Sequence, residues 1–279
     1  MIHRWSSGPA DDNMAEEILV DLAPLIRKHP WWRARGRLVL ALLEDLAVDP
    51  IGRVLDAGCG WGTTLEGLER GGYCPTGADI SRRALERLDR PGRELAEFDL
   101  NQPWPGGVEP FDAVLALDVI EHLDDDRAAV ARLGELALPD GVVIVSVPAL
   151  PDLWTEFDAI QGHRRRYTPE SLRATFKGSG LTLERLFWWG SWMVPILKRS
   201  RGEPRGRPGE SAAEVYRRYL ALPPWPVPLA FRLALALEQN RAIAGKLRVG
   251  TSLFAVGRKP PQGSMSRSDR AFKASSTAR

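Results

Sequence analysis

Glycine and acidic residues combine in one short stretch of this chain. Asp56 is followed by Gly58, Cys59, Gly60 and Gly62, and an apolar pair precedes the acid. Glycine allows sharp turns, and its lack of a Cβ lets a ligand lie directly against the backbone. The stretch therefore predicts a ligand-cradling turn between a strand and a helix, in which Cys59 is a small packing residue rather than a nucleophile.

A second acid, Asp79, lies at a position that favours a contact with ribose. It ends the segment that begins at Tyr73, and Ile80 follows it. An acid about 20 residues after a glycine-rich loop, at the end of the next strand, accepts hydrogen bonds from a ribose diol. The alternative is that Asp79 caps the following helix, a task that Ser81 performs equally well. We favour the ribose contact.

Polar and charged residues also gather later in the chain, around a histidine. Asp158, His163, Arg165 and Tyr167 lie in a predicted loop that ends at Thr168, a helix-capping residue. Histidine is the side chain best suited to exchanging a proton near neutral pH. On these residues alone two interpretations stay open: a polar site that contacts a ligand, or solvated arginines beside a histidine that caps a turn.

The elements that must position these residues alternate between strand and helix. Strands are predicted at 53–57, 73–80, 94–100, 113–117, 142–147, 182–188 and 251–256, and helices at 63–70, 82–88 and 126–137. The strand at 113–117 contains no polar residue, as expected for a parallel strand buried on both faces. Ligands bind at the carboxyl ends of the strands in such sheets. The predicted fold class is therefore α/β.

Three stretches resemble the motifs of class I S-adenosylmethionine-dependent methyltransferases of the type 11 and 12 group. They are D-x-G-x-G-x-G, F-D-A-V-L-A-L-D-V-I-E-H-L and L-P-D-G-V-V-I-V-S-V-P. The resemblance covers residues 30–188 and 250–258. It implies a Rossmann-like, seven-stranded methyltransferase sheet that binds S-adenosylmethionine and releases S-adenosylhomocysteine. The motif with which DNA amino-methyltransferases hold a flipped base is not evident, which weighs against a nucleobase substrate.

The resemblance also implies roles for individual residues. Arg35 would pair with the methionine carboxylate, Asp99 would contact the adenine amino group, and Leu100 would pack on the adenine ring. The implied cofactor-binding set is Arg35, Asp56, Gly58, Cys59, Gly60, Gly62, Asp79, Ile80, Asp99, Leu100, Asp118 and Val119. A subset of type 11 enzymes carries a loop similar to D-x-x-x-G-H-R-R-R-Y, which implies that His163 is the general base. The implied substrate contacts are His122, Asp158, Arg165 and Tyr167.

Four segments follow from these assignments. They are an N-terminal helical lid (1–48), a methyltransferase core (49–189 with 250–258), a helical and flexible insertion (190–249) and a disordered tail (259–279). The insertion is predicted to cap the substrate and to contain a disordered run rich in Arg, Gly and Pro. Because tryptophans lie beside basic residues, membrane contact through residues 187–237 is a hypothesis. An ordinary helical cap is the alternative.

Composition narrows the function further. A net charge of +2 argues against a nucleic-acid binder, and two cysteines indicate a reducing cytoplasm without a disulfide framework or metal cluster. We therefore expect methylation, with O-methylation favoured, of a small molecule or of a lipid- or sugar-linked acceptor. An NAD(P)-dependent oxidoreductase is one alternative, although it would require the spacing G-x-G-x-x-G. A non-catalytic scaffold that binds S-adenosylmethionine is the other.

Overall fold

Strands of mixed length form one central sheet in the computed structural model. The model describes residues 1–6, 16–104, 106–199, 206–222 and 224–261. The strands are β1 (Ile2–Arg4), β2 (Arg53–Ala57), β3 (Cys74–Asp79), β4 (Glu94–Glu97), β5 (Phe111–Leu117), β6 (Ala137–Pro148), β7 (Thr182–Trp189) and β8 (Ser252–Arg258). Their order across the sheet is β1-β4-β3-β2-β5-β6-β8-β7.

All strand pairs are parallel except those made by β8, which runs antiparallel to both β6 and β7. Asp56 of β2 pairs with Gly77 of β3 and with Leu115 of β5. The carboxyl ends of the four central strands therefore share one edge of the sheet, and the segments that follow them meet there. The α/β methyltransferase fold that the sequence predicts is confirmed.

Helices cover both faces of the sheet. They are α1 (Glu16–Asp21), α2 (Ala23–Lys28), α3 (Pro30–Asp45), α4 (Thr63–Arg70), α5 (Arg82–Leu88), α6 (Asp126–Leu136), α7 (Glu156–Ile160), α8 (Pro169–Thr175), α9 (Met193–Arg199), α10 (Ala212–Leu220) and α11 (Val227–Ile243). Alternate residues of β5 point to opposite faces: Val114 and Ala116 pack with α6 and α8, whereas Leu115 and Leu117 pack with α3 and α11. This two-sided burial explains why the strand carries no polar residue from Ala113 onward.

The structure adds an eighth strand to the seven that the sequence predicts. β1 pairs in parallel with β4, so that His3 lies opposite Ala96. Three residues without an apolar run give no periodic signal, so the helical lid predicted over residues 1–48 did not include this strand; helices α1, α2 and α3 lie in that range. The strand predicted at 94–100 is shorter and ends at Glu97.

Helices α9, α10 and α11 lie in the insertion between β7 and β8. α11 packs against α3 and β7. Glu238 of α11 is buried, and its carboxylate accepts hydrogen bonds from the backbone of Gly190 and Ser191. The basic run predicted to be disordered lies largely outside the described residues, and so does the tail from residue 262 onward. Within the described ranges, no helix has both the length and the apolar character needed to cross a membrane.

Candidate active site

The glycine loop connects β2 to α4 and leaves open space above its backbone. Gly58 has φ of +82°, and a Cβ at this position would lie 2.4 Å from Cγ2 of Val119. Gly60 has φ of +46°, yet a Cβ there would meet nothing closer than 3.7 Å. Gly58 is therefore required by packing, whereas Gly60 keeps free a space that a ligand can use.

Two strand-end acids face this loop. Asp79, at the end of β3, accepts hydrogen bonds from the backbone N–H of Gly60 at 2.7 Å and of Ser81 at 2.9 Å. Asp99 follows β4, and its carboxylate accepts a hydrogen bond from the backbone of Asn101 at 2.8 Å. Because the backbone fixes both carboxylates in the cleft, each can offer its remaining lone pairs to a ligand. Both residues line the cleft, and their contacts with ribose and adenine stay predictions.

Asp56 is buried at the end of β2, with one carboxylate oxygen that has no hydrogen-bond partner. Burial raises the pKa of Asp56 to about 7, the nearby charge of Arg35 lowers it in part, and Asp79 raises it. An unpartnered buried carboxylate oxygen is costly unless a ligand supplies a donor or a positive charge. Asp56 is therefore suited to bind a positively charged group of a ligand in this cleft.

At the end of β5 the backbone is strained. Asp118 has φ of +58°, a conformation that residues other than glycine rarely adopt. Its carboxylate accepts hydrogen bonds from a guanidinium N–H of Arg35 and, at 2.9 Å, from the hydroxyl of Ser146. Nε of Arg35 is buried without a partner. Arg35, Asp118 and Val119 all line the cleft, as the sequence predicts, and Arg35 already has an acidic partner there.

The short helical turn after β5 contains two buried groups held in their neutral forms. Glu121 is fully buried, and burial raises its pKa well above the usual range. Neither of its carboxylate oxygens has a hydrogen-bond partner, although His163 Nε2 lies 3.9 Å from one of them. Burial and the proximity of His163 lower the pKa of His122 to about 4, although Asp118 opposes that shift. His122 is therefore a poor base for a proton at neutral pH, and it shapes the wall of the cleft instead.

His163 has the geometry of a positioned base. Its Nδ1 lies 3.0 Å from a carboxylate oxygen of Asp158, and Arg166 Nε contacts the same oxygen at 2.7 Å. Burial alone would raise the pKa of Asp158, but the hydrogen bond from His163 and the charge of Arg166 lower it. An ionised Asp158 accepts the Nδ1 proton, so the tautomer that this geometry favours leaves Nε2 without a proton, 3.9 Å from a carboxylate oxygen of Glu121.

Three of the predicted substrate contacts require correction. Asp158 is fully buried behind His163, so it orients that ring instead of touching a substrate. Tyr167 is also buried, and its hydroxyl donates to Asp126 at 2.8 Å. Arg165 contacts Asp126 as well and donates to the backbone carbonyl of Leu123. Neither Tyr167 nor Arg165 lines the cleft, and both attach the loop to Asp126.

Glu121, His122 and His163 also form the only group in the described residues with metal-ligand spacing. Their donor atoms lie within 4.8 Å of one another. A cation bound here would have to displace the proton of Glu121, whose neutral form the surroundings favour. The trio can thus serve as a metal site only at the expense of that proton, and nothing in the sequence predicts a metal.

The cofactor cleft measures about 1200 Å³, counted to its open mouth. Five of the lining residues were given no role from the sequence: Leu19, Trp32, Trp61, Gln161 and Tyr216. The hydroxyl of Tyr216 in α10 lies 3.1 Å from the side-chain oxygen of Gln161. The signal that could have found Trp61 is its position inside the glycine loop, whereas Tyr216 lies in an insertion without a recognisable motif.

A second and larger chamber adjoins the cleft. It measures about 1650 Å³ to its mouth and shares Trp32, Asp118, Gln161 and His163 with the cofactor cleft. Its walls are mostly aromatic and aliphatic, and they come from α3, the segment before α7, and the three insertion helices: Trp31, Leu153, Trp154, Phe157, Met193, Leu197, Leu220, Leu222 and Phe231. His163 therefore lies where the two spaces meet.

A doubly wound sheet with a glycine cradle and strand-end acids at one edge is the architecture of class I S-adenosylmethionine-dependent methyltransferases. The model of a family described as "Methyltransferase domain" matches residues 31–186, and the chain belongs to that family. S-adenosylmethionine is the cofactor of this class, and the cradle above Gly60 and the unpartnered Asp56 fit it. Membership also weighs against the NAD(P)-dependent alternative.

Known proteins resemble the chain over different extents. A ubiquinone biosynthesis O-methyltransferase of Alkalilimnicola ehrlichii is 32% identical over 132 residues, 42% of this chain and 53% of the relative. The chain thus spans about half the length of this curated relative. The N-methyltransferase NodS of Bradyrhizobium japonicum has a TM-score of 0.51 and 18% identity, covering 88% of this chain and 96% of NodS. The [4+2]-cyclase SpnF also has a TM-score of 0.51, with 18% identity and 81% coverage of both chains. Fold alone therefore does not define the reaction.

Proposed function

We propose that this protein transfers the methyl group of S-adenosylmethionine to a hydroxyl of an acceptor with a large apolar body. One observation carries the proposal: His163, oriented by buried Asp158, lies at the junction of the cofactor cleft and the apolar chamber. A base at that junction can reach both the acceptor hydroxyl and the region where the methyl group would be presented. This is the arrangement that O-methylation requires.

The cofactor would be held by the residues that line the cleft. Asp79 would accept hydrogen bonds from the ribose diol, and Asp99 with Leu100 would bind the adenine. Asp56 would receive the positive ammonium group, for which its unpartnered oxygen is suited. Arg35 would reach the cofactor carboxylate with its free Nε while it stays paired with Asp118.

The bound cofactor supplies a methyl group that its sulfonium sulfur has already activated. The acceptor hydroxyl must lose its proton as its oxygen forms the new bond to carbon and the carbon–sulfur bond breaks. His163 Nε2 would accept that proton, and the Asp158 carboxylate would stabilise the resulting imidazolium. General-base help of this kind contributes about 10²- to 10⁴-fold, and alignment of the two reactants supplies most of the remainder.

The walls of the chamber support an acceptor with a substantial apolar part. Aromatic and aliphatic side chains make up just over half of the lining, and polar side chains such as Thr155, Arg166 and Thr251 make up the remainder. Pockets of this composition bind apolar bodies and orient them through a small number of polar groups. The name of the Alkalilimnicola relative, an O-methyltransferase of ubiquinone biosynthesis, agrees with a hydroxyl acceptor.

The test is methyl transfer from labelled S-adenosylmethionine to a panel of phenols and alcohols that carry apolar tails. We expect turnover with some members of the panel, and His163→Gln should lower kcat by about 100-fold or more because the proton has no acceptor. The affinity for S-adenosylhomocysteine, measured by calorimetry, should be unchanged in this variant.

His3→Gln is the matched control, since His3 lies exposed on β1 at the far edge of the sheet. It should leave both kcat and S-adenosylhomocysteine affinity unchanged. Full activity of His163→Gln would remove His163 from the mechanism. Tight binding of S-adenosylhomocysteine without methyl transfer to any acceptor would favour the scaffold alternative.

A further inference from the structure

A third pocket, separate from the cofactor cleft, has a strongly positive lining. It measures about 910 Å³ to its open mouth and lies among α2, α3, α10 and α11. Its basic residues are Lys28, Arg33, Arg37, Arg217 and Arg232, and no acidic residue lines it. Apolar residues from the same helices, among them Leu25 and Pro228, complete its surface.

The five cations have no ion-pair partner among the described residues. Other arginines of this protein pair with acids, as Arg93 does with Glu69 at 2.7 Å. Arg33 and Arg37 are one helical turn apart on α3, a spacing at which like charges repel. Burial, together with the charges of Arg33 and Arg232, lowers the pKa of Arg37. The cluster therefore lacks a counter-anion within the part of the chain that the structure describes.

The helix beside this pocket exposes an apolar face. Leu229, Leu233 and Leu237 recur at every fourth residue of α11 and are 43%, 56% and 77% exposed. Trp225, just before the helix, is 78% exposed. Of the nine large hydrophobic residues that are exposed in the described part of the chain, six lie between Ile196 and Leu237. The described residues from 221 to 237 contain no acid, so this surface is apolar and basic only.

We propose that the cationic pocket and the exposed face of α11 dock on an anionic phospholipid membrane. Lipid phosphate groups would enter the pocket, while Trp225 and the three leucines would lie among the upper acyl chains. Basic residues near an anionic surface and amphipathic aromatic residues at the lipid interface are the two features that hold a peripheral protein there. A soluble anion would use the cations but would leave the apolar face exposed to water.

The pocket also adjoins the second and larger chamber, which is called the acceptor chamber because the acceptor is proposed to bind there. The two spaces share His29, Leu220 and Leu222. A membrane bound at this surface would therefore place its lipid close to the chamber wall. Docking itself requires no methyl transfer, so it can be present or absent independently of the proposed reaction.

The experiment is sedimentation of the full chain with phosphatidylcholine vesicles, with and without phosphatidylglycerol. We expect binding only to the anionic vesicles, weakened by added salt because the Debye length shortens. Arg33→Glu/Arg37→Glu should reduce partitioning by about tenfold or more, since each basic residue near the surface contributes about 1 kcal/mol. Leu233→Ser/Leu237→Ser should also reduce it, but with little change in salt dependence.

Arg127→Glu/Arg173→Glu is the control, with the same change in net charge. These exposed arginines lie on α6 and α8, which pack on the opposite face of the sheet from α3 and α11. The control should keep vesicle binding, and S-adenosylhomocysteine binding in every variant verifies that the core is folded.

Three results would overturn the proposal. The first is an equal loss of vesicle binding in both charge-reversal variants. The second is binding of glycerol phosphate, weakened by Arg33→Glu/Arg37→Glu, without vesicle binding, which would assign the pocket to a soluble anion. The third is a stable dimer that dissociates in Leu233→Ser/Leu237→Ser, which would assign the apolar face to a second copy of the chain.

Discussion

The cofactor cleft and the acceptor chamber share His163 but are built in different ways. The cleft is formed largely by backbone turns and single acids at the carboxyl ends of adjacent strands, such as Asp56 and Asp79. The chamber is formed by side chains from helices far apart in the sequence, from Trp31 in α3 to Phe231 in α11. Backbone geometry therefore determines the first site, and side-chain identity determines the second.

This difference predicts how each site responds to mutation. In the cleft, the positions of the polar groups follow from the strand register, and a methyl group added at Gly58 would clash with Val119. In the chamber, no wall residue acts alone, so a single substitution changes the shape of the space and leaves the cofactor site intact. Mutations should therefore affect the cofactor cleft and the chamber separately.

Gly58→Ala should have the largest effect, because it acts on the backbone of the cleft. The added Cβ would meet Val119 at 2.4 Å, and φ is +82°. Left-handed strain and overpacking each cost about 1–3 kcal/mol, and S-adenosylhomocysteine binding should be lost. The measurements are calorimetric titration and denaturant unfolding.

Gly72→Ala is its control, with φ of +89° but no atom within 4 Å of the new Cβ. It should cost about 1 kcal/mol of unfolding free energy, from backbone strain alone. Its S-adenosylhomocysteine affinity should equal that of the wild type. Equal loss of affinity in the two variants would show that strain, and not the contact with Val119, governs the cleft.

Asp158→Asn should lower kcat by about 100-fold without changing S-adenosylhomocysteine affinity, because an amide can donate to Nδ1 and favour the wrong tautomer of His163. The KM for the acceptor should stay nearly constant, since Asp158 is fully buried. A rise in KM with constant kcat would instead indicate the substrate contact that the sequence predicted.

Cofactor binding should weaken in mild acid. Burial holds the pKa of Asp56 at about 7, so below that pH the carboxyl is neutral and attracts an ammonium group less. Between pH 7 and pH 6, the affinity for S-adenosylhomocysteine should fall by about fivefold, since the ionised fraction of Asp56 falls from about one half to about one tenth. Asp56→Asn should remove this pH dependence, and its persistence would point to another group.

Trp154→Ala should have the smallest effect, because it removes one partly exposed wall of the chamber. Trp154 is 41% exposed, so its contact with an acceptor is worth only about 1 kcal/mol, or about fivefold in KM. S-adenosylhomocysteine affinity should not change. Trp225→Ala, which lies outside the chamber, should leave the KM of a soluble acceptor unaltered.

The comparison also explains what could be predicted from the sequence. The glycine loop, Asp79 and Asp118 are local signals, because each follows directly from a buried strand whose apolar run is readable. The roles of Asp158 and Tyr167 were wrong because their direction depends on which side of the loop faces the core. That choice is made by long-range partners such as Asp126, and no spacing rule contains it.

The chamber in which the acceptor is proposed to bind was predicted only as a helical cap, and the residues that line it were not predicted. Tyr216 reaches the cofactor cleft from α10, more than 100 residues away from the glycine loop in the chain. The amphipathic pattern of a helix indicates that one of its faces is packed, but it does not indicate which element that face packs against. The basic pocket was equally hidden, because its arginines come from helices that only the fold brings together.

The small strand β1 has a practical consequence. Trp5 packs against Phe98 and Trp104, and the hydroxyl of Ser6 accepts a hydrogen bond from the backbone of Asp99 at 2.6 Å. The first six residues thus hold the segment around Asp99 at the cleft and cover the edge of β4, which would otherwise be free to pair with another chain. Removing these residues for crystallisation or biosensor immobilisation should weaken cofactor binding and promote aggregation. An affinity tag is therefore better placed at the C-terminal end of the chain.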